Sequence, residues 1–174
     1  LFEAMSECYI PLINVYDNLI KDNINFKITM SITPPLMSML EDEYLNERYL
    51  NYLEQSIDLS ENEIIRTEDN EELNKLAHFY NDRFKKILDI YNKYDRRLMN
   101  AFRKFDRLGV LEILTCSATH ALLPLLTINP ETIEAQIATA VQSYTECVGH
   151  KPRGIWLPEC AYTYDLDRSE EHTS

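Results

Sequence analysis

The sequence predicts an α/β fold built on parallel strands, and three observations predict it. Three short apolar runs, "NFKITMSI" (Asn25–Ile32), "VLEILTC" (Val110–Cys116) and "GIWLP" (Gly154–Pro158), read as strands. Stretches with apolar residues every three or four positions separate them and read as helices. Strands separated by helices need crossovers, for which a parallel sheet is the natural solution. Pattern alone leaves both an open doubly wound sheet and a closed barrel available. With only three glycines in the chain there is no glycine-rich phosphate loop, which disfavours a nucleotide-binding fold of the usual kind.

Along the chain, Met5, Tyr9, Leu12, Ile13 and Tyr16 share one helix face, with Pro11 expected to kink or break that helix. The strand at Asn25–Ile32 is stopped by "TPP" (Thr33–Pro35). From Leu36 the helical spacing returns and continues through Tyr44, Leu45, Tyr49, Tyr52, Leu53 and Ile57. The acidic "RTEDNEE" (Arg66–Glu72) reads as a loop or junction. A longer helix runs from Leu73 to Phe105, with a break expected near Asp95, and ends at Gly109, where a left-handed cap favours glycine. After the strand at Val110–Cys116, "INPE" (Ile128–Glu131) starts a helix with Asn129 as N-cap and Pro130 at its first position. Ile133, Ile137, Ala140, Val141 and Tyr144 form its inner stripe, and Gly149 closes it. The last strand, Gly154–Leu157, is expected to be buried, with Trp156 in the core. The eleven tyrosines fall mostly at helix-periodic positions and read as packing residues.

At 174 residues the chain has room for one domain with a real core. A formal net charge of -12 argues against a nucleic-acid binder, which normally shows a basic face. Cys8, Cys116, Cys147 and Cys160 are scattered with no Cys-x-x-Cys pair, which points to reduced thiols and a cytoplasmic setting and away from zinc. No apolar run approaches the roughly 18 residues of a membrane span. Leu1 lies inside a helical pattern without a cap, and "RSEEHTS" (Arg168–Ser174) reads as a translated sequencing adapter. Residues 1–167 are therefore expected to be one partial domain, truncated at both ends, and 168–174 a non-native tail.

Parallel α/β sheets gather their chemistry at the carboxyl ends of the strands. His120 follows the strand at Val110–Cys116 through "SATH", and Glu159 follows Gly154–Leu157 through "PE", so both are expected on one rim. Thr115, Cys116, Thr119 and Cys160 lie close in sequence. Glu159 suits a nucleophile, a general base or a metal ligand. His120 suits a hydroxyl-orienting group, a metal ligand or an acid. The plainer alternatives are a helix cap or surface residue for Glu159 and a hydrogen-bonded structural residue for His120. Cys116 and His120 (Cys-x-x-x-His) are too common a spacing to argue for a metal.

"LFEAMSECYIPLI" (Leu1–Ile13), "LEILTCSATHALLPLL" (Leu111–Leu126) and "KPRGIWLPEC" (Lys151–Cys160), in this order and spacing, resemble glycoside hydrolase family 57, in particular its 1,4-α-glucan branching enzymes. The resemblance covers nearly all of Leu1–Leu166. It implies a fragment of an incomplete (β/α)7 barrel with a long helical insertion between strands. It implies Glu159 as the catalytic nucleophile, His120 and Cys160 as residues lining the sugar site, and neither metal nor cofactor. The implied partner is α-1,4-glucan such as amylose or glycogen, with α-1,6 branches formed by retaining glycosyl transfer in glycogen biosynthesis. The family's acid/base aspartate is expected beyond this chain, since Asp165 and Asp167 come too soon, and its first-strand histidine motif before it. The fragment alone is accordingly expected to be inactive. Amylase-like hydrolysis and a catalytically silent glucan-binding homologue are the alternatives; a metal-dependent polysaccharide deacetylase is more distant, for want of a histidine pair.

Overall fold

Pro11 has no N–H to donate, and its ring would collide with the carbonyl four residues back in a regular helix. In a computed structural model, which describes residues 1–166, the chain absorbs this without breaking. Helix α1 (Phe2–Ala4) passes through a π-helical turn at Met5–Tyr9 into α2 (Ile10–Lys21), and the Ile10 N–H reaches back five residues to the Met5 carbonyl. The extra residue of the π-turn sits just ahead of the proline and replaces the expected break. Asp167 and the expected tail at 168–174 lie outside the described residues.

The remaining elements are β1 (Ile28–Ser31), α3 (Pro34–Glu41), α4 (Glu43–Arg66), α5 (Glu71–Lys93), α6 (Leu98–Arg107), β2 (Leu111–Leu114) and α7 (Pro130–Val148), with short 3-10 turns at Leu123–Leu126, Pro158–Cys160 and Tyr164–Leu166. The chain divides into two units. One comprises Leu1–Asn25 and Glu41–Ala101; the other comprises Phe26–Leu40 and the chain from Phe102 on.

The first unit is helical. Asp42 caps α4 by accepting from the Leu45 N–H at 2.8 Å, and Asn70 caps α5 by accepting from the Leu73 N–H at 3.1 Å. Glu71 and Glu72 belong to the first turn of α5, so the acidic junction is shorter than its composition suggested. There the carboxylates face the positive end of the helix dipole. Between α4 and α5, Asn74 Nδ2 donates to the Ile64 carbonyl at 2.7 Å and fastens the turn. The core centres on fully buried Tyr49 and Tyr91, whose rings meet edge to face at 4.9 Å. Each phenol has a partner: Tyr49 Oη lies 2.8 Å from Ser6 Oγ, and Tyr91 Oη donates to Asn46 Oδ1 at 2.7 Å. Burial pushes the Tyr91 phenol up to about 12. The long periodic stretch breaks where expected, with Asp95 (φ 57°) and Arg96 (φ 61°) left-handed between α5 and α6.

The second unit holds the sheet. β1 and β2 pair in parallel, Ile28 opposite Leu111 through Ser31 opposite Leu114. Pro34 and Pro35 both stop β1 and occupy the first turn of α3, where a missing N–H goes unnoticed. Gly109 (φ 67°) and Gly149 (φ 99°) take the left-handed positions after α6 and α7. Asn129 precedes α7 as expected, but its side chain makes no cap bond. Ile133 and Ile137 of α7 form an apolar cluster with Leu123 and Leu166, against which Ile155 and Leu157 pack. The buried Tyr144 hydroxyl donates to the Ile113 carbonyl of β2 at 3.0 Å, tying α7 to the sheet.

The expected third strand is reduced to one parallel bridge, Thr115 to Ile155, in which the Trp156 N–H donates to the Thr115 carbonyl at 2.9 Å. Trp156 is not core: it is 52% exposed. Ile155 and Leu157 face the apolar cluster, and strand alternation turns the residue between them outward. Among the described residues the sheet consists of β1, β2 and this bridge, an α/β arrangement in a mostly helical chain. No helix among them is long and apolar enough to cross a membrane.

At the amino-terminal side of these segments, His150 Nε2 lies 2.8 Å from Asp106 Oδ2 and Nδ1 lies 2.8 Å from the Lys151 carbonyl. Acceptors on both ring nitrogens require the imidazolium, which alone carries two donors. The Asp106 carboxylate first, and the Lys151 carbonyl second, hold the His150 pKa above its ordinary value. A raised folded-state pKa contributes stability that is fully present below the unfolded value and lost as pH rises through the folded one. His150 should therefore contribute a decline in melting temperature as the pH rises above about 6.5, the ordinary histidine value. His150→Ala should melt lower at the acid end and lose that part of the slope; an identical slope in the variant would contradict the pairing.

Candidate active site

The parallel register fixes which residues share a rim. Ser31 ends β1 opposite Leu114, and the next residue, Thr115, bridges to Ile155. Residues 116–120 and 158–160 thus leave the carboxyl ends of neighbouring parallel segments, where α/β sheets carry their sites. His120 comes from the first set, Glu159 and Cys160 from the second.

Glu159 is held by backbone. Its φ of 55° and ψ of 21° are left-handed, and Cys160 follows at φ 55°. The Cys160 N–H donates to the Leu157 carbonyl at 2.9 Å and the Ala161 N–H to the Pro158 carbonyl at 3.1 Å, closing a tight reversal just after the bridge. Both side chains are exposed. The Glu159 carboxylate makes no hydrogen bond or ion pair to any described residue, so it caps no helix there.

His120 is also left-handed, at φ 57°, with its N–H donating to the Ser117 carbonyl at 3.0 Å. Buried Ser117 donates from Oγ to the Ala121 carbonyl at 3.2 Å, closing the loop from inside. Gln136 of α7 holds it from the other side. Its backbone carbonyl accepts from the Ala118 N–H at 3.1 Å, and its side-chain Oε1 accepts from the Thr119 N–H at 3.0 Å and Thr119 Oγ1 at 3.2 Å. The imidazole is exposed and bonded to no described residue, unlike a structural histidine. Each left-handed non-glycine residue costs roughly 1–3 kcal/mol. Three of them (His120, Glu159 and Cys160) sit on this rim. Hydrogen bonds at about 0.5–1.5 kcal/mol apiece offset that strain.

Gln136 was not among the residues singled out from sequence. A signal for it exists: it falls between Ile133, Ile137 and Ala140 on the inner stripe of α7, a polar side chain where packing alone asks for an apolar one.

An apolar groove of about 480 Å³ lies in the helical unit between α4 and α5, lined by Tyr52, Leu59, Leu76, Tyr80 and Phe84 among others. Its serine and threonine hydroxyls are turned inward: Ser56, Ser60 and Thr67 each donate to a carbonyl of α4. Arg66 is paired with Glu63. The rim, where the carboxylate of Glu159 and the imidazole of His120 bond to no described residue and sit at the carboxyl ends of parallel segments, is the better candidate.

All four cysteines are free thiols, and their settings differ. Cys116 is buried, and that burial pushes its thiol pKa up, whereas Cys8 and Cys160 are exposed. Under native conditions a maleimide should label Cys8 and Cys160 first and Cys116 last, as peptide mass spectrometry will read. Early labelling of Cys116, or late labelling of Cys160, would contradict this rim geometry.

The same chain has clear relatives. It is 36% identical over 162 residues, 93% of this chain and 23% of the relative, to the 1,4-α-glucan branching enzyme TK1436 of Thermococcus kodakarensis. The α-amylase AmyC of Thermotoga maritima superposes with a TM-score of 0.95 at 42% identity, over 99% of this chain and 33% of that one. The GH57-type branching enzyme of Pyrococcus horikoshii superposes at 0.88 with 38% identity, over 93% and 30%. This chain therefore spans no more than a third of the length of these relatives. The model of glycosyl hydrolase family 57 matches residues 1–171, and with whole-chain likeness to these enzymes the chain belongs to that family.

Proposed function

We propose that this family 57 protein is a retaining α-glucan enzyme in which Glu159 is the nucleophile. The supporting observation is an exposed carboxylate, bonded to no described residue, on a left-handed turn just past the end of a parallel segment. In a retaining reaction such a carboxylate attacks the anomeric carbon and forms a glycosyl ester, while a second carboxyl group about 5–5.5 Å away protonates the leaving oxygen. We assign that acid to an aspartate of the full-length protein well beyond this motif, not to Asp165 or Asp167. His120 and Cys160 flank the nucleophile on the same rim and line the sugar site. The ester then passes to a sugar 6-hydroxyl, giving an α-1,6 branch. Exclusion of water favours transfer to a sugar over hydrolysis. The substrate we propose is a neutral α-1,4-glucan of the amylose or glycogen kind, to which a net charge of -12 is no obstacle. A cytoplasmic setting fits the free thiols.

Hydrolysis is the second reading. The amylase matches this chain at higher identity and TM-score than the two branching enzymes do. The full-length protein on amylose separates the two. Branching yields new α-1,6 linkages with little rise in reducing ends, and hydrolysis yields reducing ends alone. Either way, Glu159→Gln should reduce turnover by at least about a thousandfold with the fold intact. Wild-type turnover in that variant would remove Glu159 from the role.

A further inference from the structure

We propose that Gln136 is a positioning residue for His120: its side-chain carbonyl holds the loop at Thr119, next to the histidine, so that the imidazole stands on the same rim as Glu159. This rests on the α-glucan reading given above. Three donors of the loop, the Ala118 N–H, the Thr119 N–H and the Thr119 hydroxyl, converge on this one residue. Two of them share the same oxygen, Oε1. The next residue, His120, is left-handed, a conformation that non-glycine residues hold only where their surroundings impose it. Its own N–H is turned back to Ser117, and no described residue bonds the ring. The restraint on the ring therefore comes from the backbone just before it, and that backbone is tied to Gln136. α7 is a firm base for such a tie, because Ile133, Ile137 and Tyr144 of the same helix are buried.

Only the accepting oxygen of Gln136 is used toward Thr119, and a glutamate of the same shape keeps it. In the full-length protein with Glu159 intact, Gln136→Glu should leave KM for amylose within about twofold of wild type. Gln136→Leu should raise KM roughly tenfold, the loss expected of one or two hydrogen bonds, with little change in kcat. Thr119→Val, which removes the hydroxyl donor and keeps the N–H, should fall between them and stands in if the leucine variant does not fold. The His120 imidazole signal in a proton–carbon spectrum should move in Gln136→Leu and stay in Gln136→Glu. A leucine variant with wild-type KM and an unmoved His120 signal overturns the proposal, as do glutamate and leucine variants impaired alike. Should the wild-type protein not act on glucan at all, the functional reading fails, and the His120 signal alone then decides for or against Gln136.

Discussion

Parallel pairing between β1 and β2 obliges the chain to return along the whole sheet before the second strand begins. Everything from α3 through α6 lies in that return, and α7 lies in the next one, before Ile155 bridges to Thr115. The constraint has a second consequence. Parallel segments finish on the same side, so residues far apart in sequence leave the sheet together. The Thr115–Ile155 bridge is the joint on which this depends, since it sets the turn carrying Glu159 beside the loop carrying His120. One hydrogen-bonded bridge is slender on its own. It is backed by Ile155 and Leu157 against the cluster of Leu123, Ile133, Ile137 and Leu166, where apolar burial does the holding.

The rim and the core obey different rules. Residues such as Ile133, Ile137 and Tyr144 are buried where helix periodicity put them. At the rim, local preference is overridden: His120, Glu159 and Cys160 take a conformation that suits glycine, and their side chains face outward. Conflict between local preference and observed conformation is expected where a site must aim side chains. The asymmetry between the two neighbours is informative. Cys116, one residue beyond the bridge, is buried, whereas Cys160, next to Glu159, is exposed.

Helices were the most legible part of the sequence, because apolar period and end signals agree: Gly109 and Gly149 follow α6 and α7, and the break near Asp95 occurs as read, whereas the caps Asp42 and Asn70 went unread inside longer stretches. Pro11 marked the irregularity in the first helix but not its form, a π-turn, which apolar spacing does not record. Trp156 misled because an apolar run implies burial on both faces, while alternation turns only Ile155 and Leu157 toward the apolar cluster here. His120, Glu159 and Cys160 were legible as rim residues from strand order alone. Their backbone strain was not, since nothing in "ATH" or "PEC" announces positive φ. Gln136 went unread because its bonds run across the fold, to loop residues seventeen and eighteen positions earlier in the chain.

The central claim is that Glu159 forms a covalent bond to sugar. An activated 5-fluoro-glucosyl fluoride incubated with the full-length protein should accumulate a glycosyl ester, read by mass spectrometry of the proteolysed chain. The label is expected on the peptide carrying Pro158–Cys160, at Glu159, and it should be absent from Glu159→Gln. A label on a different carboxylate, or none while the same reagent is turned over with inversion, would contradict the account.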